Sequence, residues 1–257
     1  ASGRSPTFRT PLGRLVRSMT RPHPATNATR FTVGVAVCAW LFAYIAALPL
    51  QGVLISITGH SGEKSDSWPI SLTVLSVLCL WIPFVVALLV VSRRWGQGRF
   101  GTDFKVRLGW IDMAGLPIGI ASQLLLVPLI YWPLQRIWPD AFSSDEIEQR
   151  ARELWDKAHG GWIVVLVLVV ALGAPIIEEL VYRGLILQAL QSRLNDWVAL
   201  IISAAWFALI HLQPVELPGL FAFALVLGIC FQRTGRLGMA VMAHIGFNAA
   251  GLLLASR

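Results

Sequence analysis

The chain has 257 residues, 56% of them hydrophobic and only 14% charged. A soluble domain of this size needs far more charge to cover its surface, so the composition points to a polytopic membrane protein. The net charge of +7 would suit a nucleic-acid arm, but the basic residues cluster in short polar segments between apolar runs. That is the bias of cytoplasmic loops, and it argues against a nucleic-acid partner.

Residues 1–30 are polar and basic, with Arg4, Arg9, Arg14, Arg17, Arg21 and Arg30. They read as a cytoplasmic tail able to lie on anionic headgroups. They lack the short apolar core of a cleavable signal, so the first spanning helix serves as the insertion signal. The remainder, 31–257, reads as a single membrane domain.

The first predicted span is Phe31–Ile57, kinked near Pro49. A short outer loop, Gly59–Trp68, follows. The second span, Pro69–Ser92, leads into the basic loop 93–110, and the third, Ile111–Trp132, carries Pro117 and Pro128, which favour kinks. Residues 133–161 form the longest polar insert. Ser143 and Glu146 have capping-box spacing, and Ile147, Ala151, Leu154 and Ala158 recur at helical spacing, so an amphipathic surface helix is expected.

Four more spans are predicted: Trp162–Ser192, Trp197–Leu212, Leu217–Phe231 and Leu237–Ala255. The proposed inner side holds 14 Lys/Arg and the outer loops hold 5. The expected fold is therefore an all-α membrane helical bundle of seven transmembrane helices, eight if the surface helix dips into the bilayer. The bundle is expected in the cell membrane with its N-terminus on the cytoplasmic side and its C-terminus outside. Trp68, Trp95, Trp110, Trp132, Trp162 and Trp197 fall near span ends, as an aromatic belt requires. Cys38, Cys79 and Cys230 are far apart in apolar runs and read as small core residues.

The stretch Ala174-Pro-Ile-Ile-Glu-Glu-Leu-Val-Tyr-Arg-Gly184 sets two carboxylates and a guanidinium inside an apolar helix. A charge at the centre of a membrane helix costs roughly 2.5–3.5 kcal/mol on insertion scales, so these groups must pair or face a polar cavity. Glu179 and Arg183 stand at i,i+4 and can form an ion pair. That leaves Glu178 as the freer carboxylate, a division that gives two acids different roles. Pro175 removes one backbone donor, an opening through which water can reach the helix. The plainer reading is a buried ion pair that fixes helix packing.

His211 ends the fifth predicted span, and His244 and Asn248 share one face of the last. If the fourth and fifth spans form a hairpin turning near Asn195, Glu178 and His211 both lie roughly 25 Å from the turn and can face each other. His244 and Asn248 sit roughly 10–16 Å into the last span, a level that permits convergence. A Glu in a low-dielectric cavity has its pKa raised toward neutrality, which suits a general base.

Glu178-Glu179-x-x-x-Arg183, Phe207-x-x-x-His211 and His244-x-x-x-Asn248 resemble the three motifs of the CAAX prenyl protease 2 and bacteriocin-processing family (CPBP or Abi). Each motif is weak alone, and the three in order within apolar helices are specific. The match covers about residues 160–255, which would then be the catalytic core. The resemblance implies an intramembrane glutamate endopeptidase acting on a membrane-associated protein or peptide. Glu178 would be general base, His211 would orient or polarise the water, and His244 and Asn248 would stabilise the tetrahedral intermediate, with Glu179 and Arg183 in support. No cofactor is required on this reading.

Three rivals stand beside it. A zinc protease would use Glu178, His211 and His244 as ligands with an open water position, although HExxH is missing. A non-proteolytic membrane scaffold or bacteriocin-immunity-type protein would tolerate loss of Glu178. A transporter would also bury Glu, His and Arg, but no inverted repeat is visible.

Overall fold

The computed structural model describes residues 31–257. The tail 1–30 lies outside the described residues, as do the side chains of residues 144–148 and 150, which include Glu146 and Ile147. Among the described residues every regular element is helical.

Helix α1, Val33–Ile57, opens at Thr32, whose hydroxyl accepts from Val35 N and so satisfies one of the free amides of the first turn. Leu41, Phe42, Ile45, Leu48, Val53 and Ile57 point outward, while Ala36, Ala43 and Ala47 face the interior. This inverted pattern suits a helix whose outer solvent is hydrocarbon. Helix α2, Ile70–Trp95, packs beside α1. Gln51 Nε2 donates to Ser76 Oγ and O at 3.1 Å each, satisfying an amide that has no water to turn to.

The loop after α2 is closed by buried Asp103, which accepts from Ser92 Oγ at 2.6 Å, Gln97 N at 2.8 Å and Arg99 N at 3.2 Å. Helix α3, Trp110–Ile137, starts against buried Asp112. That carboxylate accepts from Gly109 N at 2.6 Å and from Arg236 Nε at 2.8 Å. The bond pushes the pKa of the Arg236 guanidinium above its ordinary value.

The amphipathic helix expected in the polar insert is α4, Ser144–Lys157. Leu154 and Trp155 pack against a small cluster containing Ile70, Val74, Leu166 and Leu252, and Ala158, just past the helix, is buried in that cluster.

Helix α5, Gly161–Gln191, is 31 residues long, about 46 Å at 1.5 Å per residue. Its second half, Leu180 to Leu190, is buried on all sides. The short α6, Asp196–Leu209, is capped by Asn195, and α7 (Leu217–Thr234) and α8 (Gly238–Ala255) complete the chain. Around α5 lie α1, α2, α6, α7 and α8, all contributing to one core.

Six helices (α1, α2, α3, α5, α7 and α8) are long and apolar enough to span a membrane. The fifth predicted span is α6, whose 14 residues reach only about 21 Å against a hydrocarbon core of about 30 Å. A seventh helix of spanning length is not found among the described residues. Hydropathy read Trp197–Leu212 as one span, but the chain leaves the helix after Leu209 and Leu212 takes a positive φ of 54°. His211 consequently sits on a turn rather than inside a helix.

Two prolines follow π-helical turns. In α3 the segment Ser122–Leu126 is π-helical and Val127 N donates back to Ser122 O, just before Pro128. In α5, Leu168–Gly173 is π-helical and Ala174 N donates to Val169 O, just before Pro175. Each wide turn sets the register in which the next residue, a proline, has no hydrogen to offer.

Candidate active site

Glu179 is fully buried, and its Oε1 accepts from Arg183 Nη1 at 2.7 Å and from His244 Nδ1 at 2.9 Å. The intrahelical pair expected from the i,i+4 spacing is therefore present. Arg183 has its other terminal nitrogen on Ala224 O of α7 at 2.9 Å and its guanidinium over the Phe207 ring at 4.9 Å. A buried charge pair of this kind is tolerable because almost every donor and acceptor finds a partner. Glu179 Oε2 is the exception, buried with no hydrogen-bond partner.

Glu178, one residue earlier, points to a different side of α5, as a 100° step requires. Its side chain is 29% exposed, and its Oε2 lies 3.7 Å from His244 Nε2. His244 thus stands between the two carboxylates, with one ring nitrogen toward each. A carboxylate oxygen only accepts, so Nδ1 carries the hydrogen given to Glu179, and in the neutral ring Nε2 is an acceptor.

His211 is half-buried, with Nδ1 2.7 Å from Phe207 O. A carbonyl also only accepts, so here too Nδ1–H is used and Nε2 is left open. No hydrogen bond or ion pair joins His211 to Glu178 among the described residues. What gathers His211 and His244 is the Phe207 ring, which lies 4.8 Å from His211 and 5.8 Å from His244 between centroids. The same ring meets Tyr182 edge-on at 5.1 Å.

Asn248, one turn beyond His244 on α8, donates from Nδ2 to Val170 O at 2.8 Å. In the π register Val170 O would accept from residue 175, and residue 175 is proline. The amide of Asn248 fills the vacancy that Pro175 creates, tying α8 to α5 at the level of the site. Sequence reasoning credited Pro175 with opening the helix to water; in the structure, the carbonyl it frees is held by a side chain.

Three contributors escaped the sequence reading. Trp40 of α1 donates from Nε1 to Tyr182 OH at 3.4 Å. Phe223 of α7 meets the His244 ring edge-on at 5.5 Å. The third is the contact of α3 with α8. A Cβ on Gly119 would collide with the Ala243 carbonyl oxygen, and one on Gly115 would come 2.7 Å from Ala243 N. Small residues here let the backbones touch beside His244. The Gly115-x-x-x-Gly119 spacing was the available signal.

Among the described residues no group of three His, Cys, Asp or Glu side chains is disposed to hold a metal ion. Of the alternative zinc set, Glu178 and His244 adjoin, while His211 meets them through the Phe207 ring.

Residues 160–250 match the family model for Rce1-like proteins, described as type II CAAX prenyl endopeptidase Rce1-like. That segment contains Glu178, Glu179, Arg183, His211, His244 and Asn248. A curated relative from Bacillus subtilis (strain 168), named "Putative membrane peptidase YdiL", is 27% identical over 211 residues, covering 80% of this chain and 81% of its own. No solved structure matches the chain. The Rce1-like likeness of the motif-bearing segment is thereby shown. The likeness is thus to proteins described as a CAAX prenyl endopeptidase and a putative membrane peptidase.

Proposed function

We propose that this chain is a glutamate-dependent intramembrane endopeptidase that cleaves a membrane-associated protein or peptide with water activated by its own side chains. The observation that carries the reading is the contiguous set Glu178–His244–Glu179–Arg183 inside an apolar bundle. Burying it has a use only if something polar is done there or if the ion pair locks the helices, and Glu178 takes no part in that lock.

In the proposed reaction Glu178 takes a proton from water as the oxygen attacks the scissile carbonyl carbon. His211, with Nε2 open, orients that water. The amide N–H of Asn248, and His244 when it is protonated at Nε2, meet the oxyanion as it forms; one preorganised donor contributes about 10²–10³ in rate. Asn248 has two amide hydrogens and gives one to Val170 O, so a second remains. Glu179 and Arg183 hold the imidazole. The reaction needs no cofactor, and the alternative is a zinc ion on Glu178, His211 and His244. The protein lies in the cell membrane with its N-terminus in the cytoplasm.

The test compares membrane proteomes of cells carrying the wild-type chain or Glu178→Ala. A polypeptide that accumulates uncleaved with the variant, and a new N-terminus found only with the wild type, are expected. If no polypeptide differs in length, the protease reading fails, and a membrane scaffold remains.

A further inference from the structure

We propose that Tyr131 of α3 is a positioning residue for His211, holding the α6–α7 turn that carries this histidine to the site. The assignment rests on the protease reading above and brings into it a helix outside the matched segment, residues 160–250.

His211 needs such a tie because its own helix stops short of it. Helix α6 ends at Leu209, and the chain then passes through the exposed residues Leu212, Gln213 and Pro214 before α7 begins at Leu217. The contact of His211 Nδ1 with Phe207 O fixes the ring against α6 and leaves the α7 side of the turn to be held by other groups. Glu216 N and Leu217 N both donate to Gln213 O, at 3.0 and 3.2 Å, so residues 213–217 are wound into one small unit. The place of that unit is set by what grips it from outside.

The start of α7 is short of partners. The first amides of a helix have no carbonyl within it to bond. Pro218 has no hydrogen to give, and Glu216, at the cap position, makes no capping bond with its side chain. The next amide, Gly219 N, donates to Tyr131 OH at 3.3 Å, and Tyr131 OH donates to Val215 O at 2.6 Å. Val215 O is the carbonyl four residues before Gly219, the one that a helical turn would use. The hydroxyl stands in place of that bond, giving one hydrogen and accepting another. It thereby joins α3 to the turn and to the first residues of α7 at once. Tyr131 is 4% exposed, and a Cβ on Gly219 would come 3.0 Å from its Cε2, so the glycine is what admits the ring. Val215 is four residues from His211, and a shift of the turn carries to the imidazole.

The test uses the full chain in detergent. Tyr131→Phe removes the hydroxyl and keeps the ring. Hydrogen exchange at the amides of residues 211–219, read by mass spectrometry, should quicken by about tenfold or more, with α5 and α8 unchanged. On the substrate identified by the proteome comparison, kcat should fall by about tenfold to 10²-fold with KM within about twofold, as a misplaced group requires. Gly219→Ala presses on the same contact from α7 and should show the same split, which decides the matter where Tyr131→Phe fails to fold. Val226→Ala trims α7 where it packs on the core, away from the turn, and should leave kcat within about twofold of wild type.

Unchanged exchange over residues 211–219 in Tyr131→Phe overturns the proposal, with or without a substrate in hand. So does a normal kcat in folded Tyr131→Phe, or an equal loss of kcat in Val226→Ala, which would make Tyr131 a strut like any other. If Tyr131→Phe has normal kcat and Glu178→Gln is inactive, the protease reading survives without this residue; if Glu178→Gln is active as well, the protease reading itself falls.

Discussion

Removing the Asn248 amide should leave Val170 O without a donor, because Pro175 supplies none. A buried carbonyl left unsatisfied costs about 1–3 kcal/mol, and bilayer hydrocarbon offers no water to compensate. Asn248→Ala should therefore destabilise by about that amount. Pro175→Ala restores a backbone hydrogen at the position from which the π register directs it to Val170 O. In that background the Asn248→Ala cost should shrink, giving a coupling of about 1–2 kcal/mol between Pro175 and Asn248, whose amide holds that carbonyl. The assay is equilibrium unfolding of the four chains in mixed micelles, with cleavage measured in parallel. Effects that add within about 0.5 kcal/mol would refute the argument. Cleavage separates the two jobs of Asn248. If it is a strut alone, the double variant regains activity with stability; if its second N–H meets the oxyanion, activity stays down by about 10²–10³.

Arg183→Met breaks the buried ion pair and leaves Glu179 with the His244 N–H alone; it should cost up to about 3–5 kcal/mol, read as loss of folded protein in detergent. Gly119→Ala forces α3 off α8 at Ala243, the neighbour of His244, and should lower both thermal stability and cleavage by an overpacking cost of about 1–3 kcal/mol. Burial lowers the pKa of Lys105, in the loop before α3, below its ordinary value. The unfolded chain therefore holds that proton to higher pH, and the Lys105 contribution to stability should rise with pH through the alkaline range. Lys105→Met should abolish that increment. Chelation should leave cleavage unchanged if water is activated by side chains alone, and abolish it if Glu178, His211 and His244 hold zinc.

The helical bundle was legible because apolar runs and basic loops obey the bilayer directly, and the i,i+4 spacing of Glu179 and Arg183 stated its own ion pair. The count of seven found no full-length helix at Trp197–Leu212, where hydropathy cannot see a helix ending at Leu209. Partner choice was hidden too. Matching residue levels paired Glu178 with His211, but helix packing sets His244 beside Glu178, because Gly115 and Gly119 let α8 lie against α3. The role of Pro175 needed the π register, which has no signature in composition. The aromatic hub at Phe207 was visible only as a motif letter, since ring contacts depend on how α5, α6 and α8 cross.

The central claim is that Glu178 activates water for peptide hydrolysis. Purified wild-type and Glu178→Gln chains, reconstituted in liposomes with the polypeptide that accumulates in the variant cells, test it most directly. Cleavage at one peptide bond by the wild type, with a rate at least 10²–10⁴ lower for Glu178→Gln, is the predicted result. Equal rates from the two chains, or no cleavage by either, would contradict it.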